Sequence, residues 1–298
     1  MYALTTYFNP NHYKSRLSNY RLFRQRLGIP LVTIELGFGS KFELKPHDAD
    51  TLISIKGESI LWQKERLLNI ALGYVPANVE NIAWLDCDII FGRDDWVRKA
   101  VKMLESKPLI QAFSTAYRLR KNEIPTAEQF KPIGFPRKSS VSLLKNDSTG
   151  KKVLHHGSVG FAWAAKREVL EQHGFYDAMI IGGGDYAMAC AAYGKFDEAI
   201  AAGQMNDRRV AHYLAWARPF HQHILGNVGY VESNIFHLWH GDIANRRYQE
   251  RHLELKVTNF DPFTDIAHAP NGCWKIVGTN PILRTKLSDY FAARKEDD

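Results

Sequence analysis

Two aspartates one residue apart break an apolar run, NIAWLDCDIIF, at residues 81–91. A buried, unpaired carboxylate is costly, so either the strand predicted by this run ends at Leu85 or something positive sits against Asp86 and Asp88. On a continuous strand, residues two apart point to the same side, so Asp86 and Asp88 would project together while Cys87 faces away. In an open parallel sheet, ligands bind outside the C-terminal ends of strands, where such a pair would emerge. Two carboxylates at that edge suit a hard divalent cation, Mn²⁺ or Mg²⁺. The plainer alternative is a pair of strand-end caps facing water.

Other stretches carry groups able to do chemistry. FHLWHGDIANRRY, residues 236–248, holds His237 and His240. Three apart, they share a face only on a helix; on the strand suggested by VESNIFHLW they point oppositely, so one of them is expected to face a site. IIGGGDYAMACAAYG, residues 180–194, is a glycine loop feeding a small-residue helix, and it places Asp185 where that helix begins. Asp185 is either a plain N-cap or a carboxylate positioned for proton transfer. A helix N-terminus favours negative charge, so a base there needs an apolar wall or a like charge beside it. Phe161, Trp163 and Tyr186 could form such a wall, although aromatic residues at these spacings also fit a core. Lys64 falls on the apolar stripe of its helix, where it either snorkels or aims its ammonium at an anion. Arg66 and Asn69 lie on the other face. His155 with His156, and His221 with His223 on an expected strand face, lack a third ligand and read as structural.

These residues need a frame, and strands alternating with helices supply it. YALTTYF and PLVTIELGF read as strands flanking the helix HYKSRLSNYRLFRQRLG, which stops at a glycine. GESILWQKERLLNIALGYVP follows with Ile60, Leu61, Leu67, Leu68, Ala71 and Leu72 on one stripe and Gly73 and Pro76 as terminators. After the aspartate strand comes GRDDWVRKAVKMLES, with Asp94 or Asp95 able to cap and Trp96, Val97, Ala100, Val101 and Leu104 forming its buried face. The stretch 117–152 loses periodicity and predicts long loops. GSVGFAWAAKREVLEQHGF predicts a short strand running into a helix stopped by Gly174. Strand signals return from Ile224 to Trp239, and the tail from Asn280 reads as an amphipathic helix fading into charge. The expected fold is therefore α/β, a mostly parallel sheet flanked by helices.

The chain has 298 residues, 45% apolar, enough for one large domain or two small ones. Its start turns polar within a few residues, unlike a signal peptide, and no apolar run approaches the ~20 residues that span a bilayer. A soluble, cytoplasmic protein is expected. Cys87, Cys190 and Cys273 are odd in number and far apart, against a disulfide framework or zinc knuckle. The net charge of +7 favours acidic partners, but it is dispersed in short clusters compatible with a solvated surface. ELGFGS has two glycines without a following helix and reads as a turn.

Taken together, the strand–helix–strand start, WLDCDIIF, the glycine loop with Asp185 and the late histidine segment resemble glycosyltransferases of the GT-A fold, family 2-like. The resemblance is one of motif order over about Tyr2 to Arg251, and only the Asp-x-Asp strand is specific. It implies a GT-A-like domain over residues 1–250 and a C-terminal extension, 251–298, ending in a helix packed on the same domain. It also implies transfer of a sugar from a nucleotide-diphosphate sugar, UDP-sugar above all, to a carbohydrate or other hydroxyl acceptor. An anionic acceptor, nucleic acid included, is compatible with the charge. By similarity, Asp86 and Asp88 hold the metal, Asp88 as the more direct ligand, and His240, with Gly241 behind it, completes the site. Arg246 or Arg247 would meet the phosphates, where the family motif has a lysine. Lys64 would approach the diphosphate, Thr6 and Glu35 would contact base and ribose, and Asp185 would be the base of an inverting reaction. Two rivals stand beside this: a nucleotidyltransferase of the same fold, although TTYFNPNHYKSR lacks the glycines typical after the first strand, and a non-catalytic nucleic-acid-binding module.

Overall fold

The computed structural model describes residues 1–39, 41–125, 135–146, 154–248 and 250–298, without the side chain of His155. Two parts of the expected 117–152 loop stretch, 126–134 and 147–152, lie outside the described residues, as does the side chain of His155 from the His155–His156 pair.

The chain opens with β1 (Tyr2–Phe8), α1 (Lys14–Leu27), β2 (Leu31–Gly37), β3 (Thr51–Lys56) and α2 (Lys64–Leu72). It continues through β4 (Asn81–Leu85), β5 (Ile89–Phe91), α3 (Trp96–Leu104), β6 (Leu109–Gln111), β7 (Thr115–Arg118), β8 (Phe135–Lys138) and α4 (Ser140–Lys145). Next come β9 (Ala162–Lys166), α5 (Arg167–His173), α6 (Gly184–Ala192), α7 (Phe196–Ala202), α8 (Asp207–Ile224), β10 (Val228–Tyr230) and β11 (Asn234–His237). The last part holds α9 (Glu250–Val257), the hairpin β12 (Ile266–His268) and β13 (Trp274–Ile276), and α10 (Pro281–Ala292).

A seven-stranded sheet runs in the order β10-β6-β9-β4-β1-β2-β3. Its pairings are parallel except where β9 runs antiparallel between β4 and β6, so the fold is the expected mostly parallel α/β sheet. β1 and β2 are buried along nearly their whole length on both faces, so they lack the regular apolar–polar alternation of a half-exposed strand. Helices cover the sheet. In α1, Tyr20, Phe23 and Leu27 are buried, and Gly28 ends the helix at a φ of 73°, the left-handed conformation that glycine adopts without strain. α2 begins at Lys64, later than its stripe suggested, so Ile60 and Leu61 precede the helix, while Leu67, Leu68 and Ala71 are buried as expected.

Three expectations change. The strand in NIAWLDCDIIF ends at Leu85, one of the two alternatives its charges left open, so Asp86 and Asp88 do not project together from a continuous strand: Asp86 to Asp88 turn, and β5 joins a second, four-stranded sheet in the order β5-β11-β7-β8. Within the stretch expected as loop, Thr115–Arg118 and Phe135–Lys138 are strands of that second sheet, and Ser140–Lys145 is a short helix capped by the Ser139 hydroxyl. His221 and His223 stand on α8 rather than a strand, which runs to Ile224 with Pro219 inside it. His223 Nδ1 meets His173 Nε2 at 3.0 Å, and His221 Nδ1 lies 3.3 Å from the Ala192 carbonyl, both contacts internal to the packing.

The tail also joins the main core. Phe291 packs edge-on to Phe8 and stacks against Trp62, tying α10 to the end of β1 and the approach to α2.

Candidate active site

The chain parts at the end of β4: β2 and β3 lie to one side of β1, and β4 to the other, which makes the C-terminal ends of β1 and β4 a topological switch point. A cavity of about 880 Å³ opens there, with Thr6 and Phe8 from β1, Leu85 at the end of β4 and Asp86 to Asp88 in the turn after it on its wall.

Backbone hydrogen bonds set the two aspartates apart. Asp86 N–H donates to the Phe161 carbonyl at 2.7 Å, and Phe161 N–H donates back to Asp86 Oδ2 at 3.1 Å. Phe161 itself holds a φ of 79°, unusual for a side chain of its size. Two residues on, the Asp88 carbonyl accepts from Leu238 N–H at 2.8 Å, and Ile89 pairs in register with His237. The turn therefore sends Asp86 towards α2 and α6, and Asp88 towards the end of β11.

At β11 the two histidines converge. Because the strand stops at His237, His240 is free of strand alternation, and both rings face Asp88. His240 Nε2 is 3.0 Å and His237 Nε2 3.6 Å from the Asp88 carboxylate, and the two Nε2 atoms are 3.0 Å apart. The expectation that only one histidine faces the site is corrected. Burial would raise the Asp88 carboxyl, but His240, His237 and Arg246 together hold it well below the usual carboxylate range. Burial also pushes His237 well down, so its imidazole is neutral and able to ligate.

Donor atoms of Asp88, His237 and His240 all lie within 4.8 Å of one another, the one such group among the described residues. Asp88 Oδ1 is buried without a hydrogen-bond partner, a state that a cation would relieve. Two imidazoles and a carboxylate fit a divalent cation, and the nitrogen donors suit Mn²⁺ better than Mg²⁺, which prefers oxygen. Asp86, expected as a second ligand, stands outside this group.

Asp86 belongs to a second cluster. Lys64 Nζ lies 2.6 Å from Asp86 Oδ1 and 2.9 Å from Asp185 Oδ2, bridging the end of β4 to the start of α6. Burial opposes charge on Lys64, but Asp185, Asp86 and Glu65 raise it well above its ordinary value, so it stays an ammonium. Asp86 is raised, chiefly by burial and against the pull of Lys64. Beneath them, burial raises Glu65 to about 8. Gly183, at φ 102°, turns the chain into α6, and a Cβ on Gly184 would fall 2.2 Å from Glu65 Oε1, so this stretch of the glycine loop fits against α2 without side chains. Asp185 is inside the first turn of α6, one residue beyond its first position, and its side chain is held by Lys64 rather than by backbone N–H groups.

Of the remaining expected residues, Thr6 and Arg246 line the cavity, and Arg246 Nη2 lies 2.9 Å from His240 Nδ1. Arg247 points elsewhere, paired with Glu254. Glu35 does not line the cavity: its carboxylate accepts from the backbone N–H groups of Glu43 and Leu44 and from the Ser54 hydroxyl. Phe161 and Tyr186 line the cavity, while Trp163 is buried against Trp84. Arg66 is held by Asp177 at 3.1 Å.

Sequence reasoning missed Glu296. Its carboxylate, 1% exposed, takes Arg16 from α1 and Arg294 from the tail, both at 2.5 Å, and lies 3.6 Å from His240 Nδ1. Those two arginines hold it well below the usual range despite burial. The tail crosses Gly241, where a Cβ would come within 3.0 Å of its backbone, so the glycine behind His240 admits this crossing. An acid in a terminal run of charges gives no pattern that would reveal this role.

Comparison with known proteins adds little. No family model matches the chain, and no curated protein matches it. Among solved structures, the chain is similar to the catalytic domain of Drosophila beta1,4-galactosyltransferase 7 in complex with xylobiose, at 12% identity and a TM-score of 0.29, over 62% of this chain and 58% of that one. It is also similar to 4-diphosphocytidyl-2C-methyl-D-erythritol synthase from Anaerococcus prevotii, at 9% identity and a TM-score of 0.33, over 78% of this chain and 88% of that one. The chain thus spans little more than half of the galactosyltransferase domain. At these similarities neither neighbour assigns an activity.

Proposed function

We propose that the protein is a metal-dependent, GT-A-like glycosyltransferase using a nucleotide-diphosphate sugar, with UDP-sugar as the donor tested first. The observation that supports this most is the Asp88, His237 and His240 group at the end of a central parallel strand, facing the Lys64–Asp86–Asp185 cluster across one cavity. Asp88, His237 and His240 would hold Mn²⁺, which supplies electrostatic stabilisation to a departing diphosphate. Arg246, beside His240, is placed to add a hydrogen-bonding fork to the same oxygens. Lys64 keeps Asp86 and Asp185 in fixed positions, and Asp185 is the carboxylate through which an acceptor hydroxyl would lose its proton. Tyr186 and Phe161 give that acceptor an aromatic wall.

Asp88→Ala removes the shared carboxylate and is expected to lower Mn²⁺-dependent hydrolysis or transfer of UDP-sugars by more than about a hundredfold. Turnover equal to the wild type would sink the assignment. Pyrophosphate release from nucleoside triphosphate and sugar phosphate would instead identify a nucleotidyltransferase.

A further inference from the structure

Positive charge on the cavity wall is not fully matched. Lys64 faces two carboxylates, and Arg16 and Arg294 share Glu296. Arg118 has no carboxylate partner among the described residues. Burial lowers its guanidinium, and although Tyr248 opposes this, Arg246 and Arg137 lower it further. Holding the half-buried Arg118 beside Arg246 and the exposed Arg137 is unfavourable unless an anion joins them.

The second sheet dictates where these cations stand. Arg118 closes β7 in register with His237 on β11, and Arg137 on β8 pairs with Ala116, two residues before Arg118. Directly paired residues, and residues two apart, share a face, so Arg118 and Arg137 emerge together, and both line the cavity. In the order β5-β11-β7-β8 they lie one and two strands beyond His237, about 5 and 10 Å sideways. That offset leaves the metal-ligand group and Arg246 for one anion, with Arg118 and Arg137 past it.

We propose that Arg118 and Arg137 bind a second anionic group, a phosphate or carboxylate carried by the acceptor. This rests on the glycosyltransferase reading for the word acceptor, but the anion site itself does not. An arginine pair on adjacent strands offers planar donor forks that match either oxyanion.

The test titrates sulfate, a phosphate mimic that does not precipitate manganese, into the full-length protein by calorimetry, with and without saturating UDP and Mn²⁺. Acetate in a parallel titration separates carboxylate from phosphate preference. The expected result is saturable binding of one oxyanion in both conditions, weakened about tenfold or more in Arg118→Met and restored in part by Arg118→Lys, with UDP affinity changed less than about twofold. Arg137→Gln should weaken the oxyanion in the same direction, and it serves if Arg118→Met does not fold. Absence of saturable binding, equal binding by the variants, or displacement of sulfate by UDP would overturn the proposal. Failure of UDP to bind would instead count against the glycosyltransferase reading, while the titration without UDP still reports on the arginine pair.

Discussion

Lys64 keeps Asp86 and Asp185 side by side: with its side chain 9% exposed, it contacts both carboxylates within 2.9 Å. Removing the ammonium leaves two partly buried like charges facing each other, so Lys64→Met is expected to lower stability in urea unfolding by about 3 kcal/mol. A loss below about 1 kcal/mol would mean that water or a counter-ion already serves the pair. Lys64 was conspicuous in the sequence because a lysine on an apolar stripe breaks the pattern of its helix. Its partners were not legible as partners, since nothing local joins residues 64 and 185. Asp88 and His240 were each visible from their surroundings, whereas the inclusion of His237 depended on β11 stopping two residues earlier than its apolar run implied.

Elements carry the next part of the design. The turn after α10 places Glu296 among Arg16, Arg294 and His240, so one carboxylate fixes both the tail and the back of a metal-ligating ring. Glu296→Gln strips two buried guanidiniums of their shared counter-charge. The expected cost is about 3 kcal/mol in unfolding, with Mn²⁺ affinity down about tenfold. Unchanged Mn²⁺ affinity would confine Glu296 to a structural role. The alternation β1, α1, β2, α2 and β4 was readable because each element carries its own period and stop signal. The second sheet was only half readable: β5 and β11 lie in runs with strand signals, whereas β7 and β8, 4 residues each, fall at or in the stretch read as loop and acquire their identity only from pairing. α8 was hidden for a related reason: Pro219 and scattered histidines blur its stripe, and tertiary packing of Tyr213, Ala217 and Phe220 decides it.

At the scale of the molecule, charge and protonation link site to stability. Burial raises Glu65 from an ordinary 4.5 to about 8. A carboxyl that binds its proton more tightly when folded contributes stability that is complete below about pH 4.5 and is lost as pH rises through about 8. Glu65→Gln keeps the shape and cannot ionise. Its melting temperature should therefore fall less than that of the wild type between about pH 6 and 9, so that the variant gains on it by a few degrees; parallel curves would mean that Glu65 is already charged at neutral pH. Among the described residues no helix is long and apolar enough to cross a membrane. The net charge of +7 is partly explained by the arginines and lysine gathered on the cavity wall, which composition alone could not distinguish from a solvated surface.

The most direct measurement is thermal unfolding of the wild type and Asp88→Asn with UDP, Mn²⁺, both, or neither. If Asp88, His237 and His240 hold a cation that meets a nucleoside diphosphate, UDP and Mn²⁺ together at about a hundred times their dissociation constants should stabilise the wild type by about 2.7 kcal/mol, a shift of about 5 °C or more. UDP alone should give much less, and Asp88→Asn should lose the combined shift. A shift of equal size in the variant, or stabilisation by UDP that is indifferent to Mn²⁺, would contradict the account.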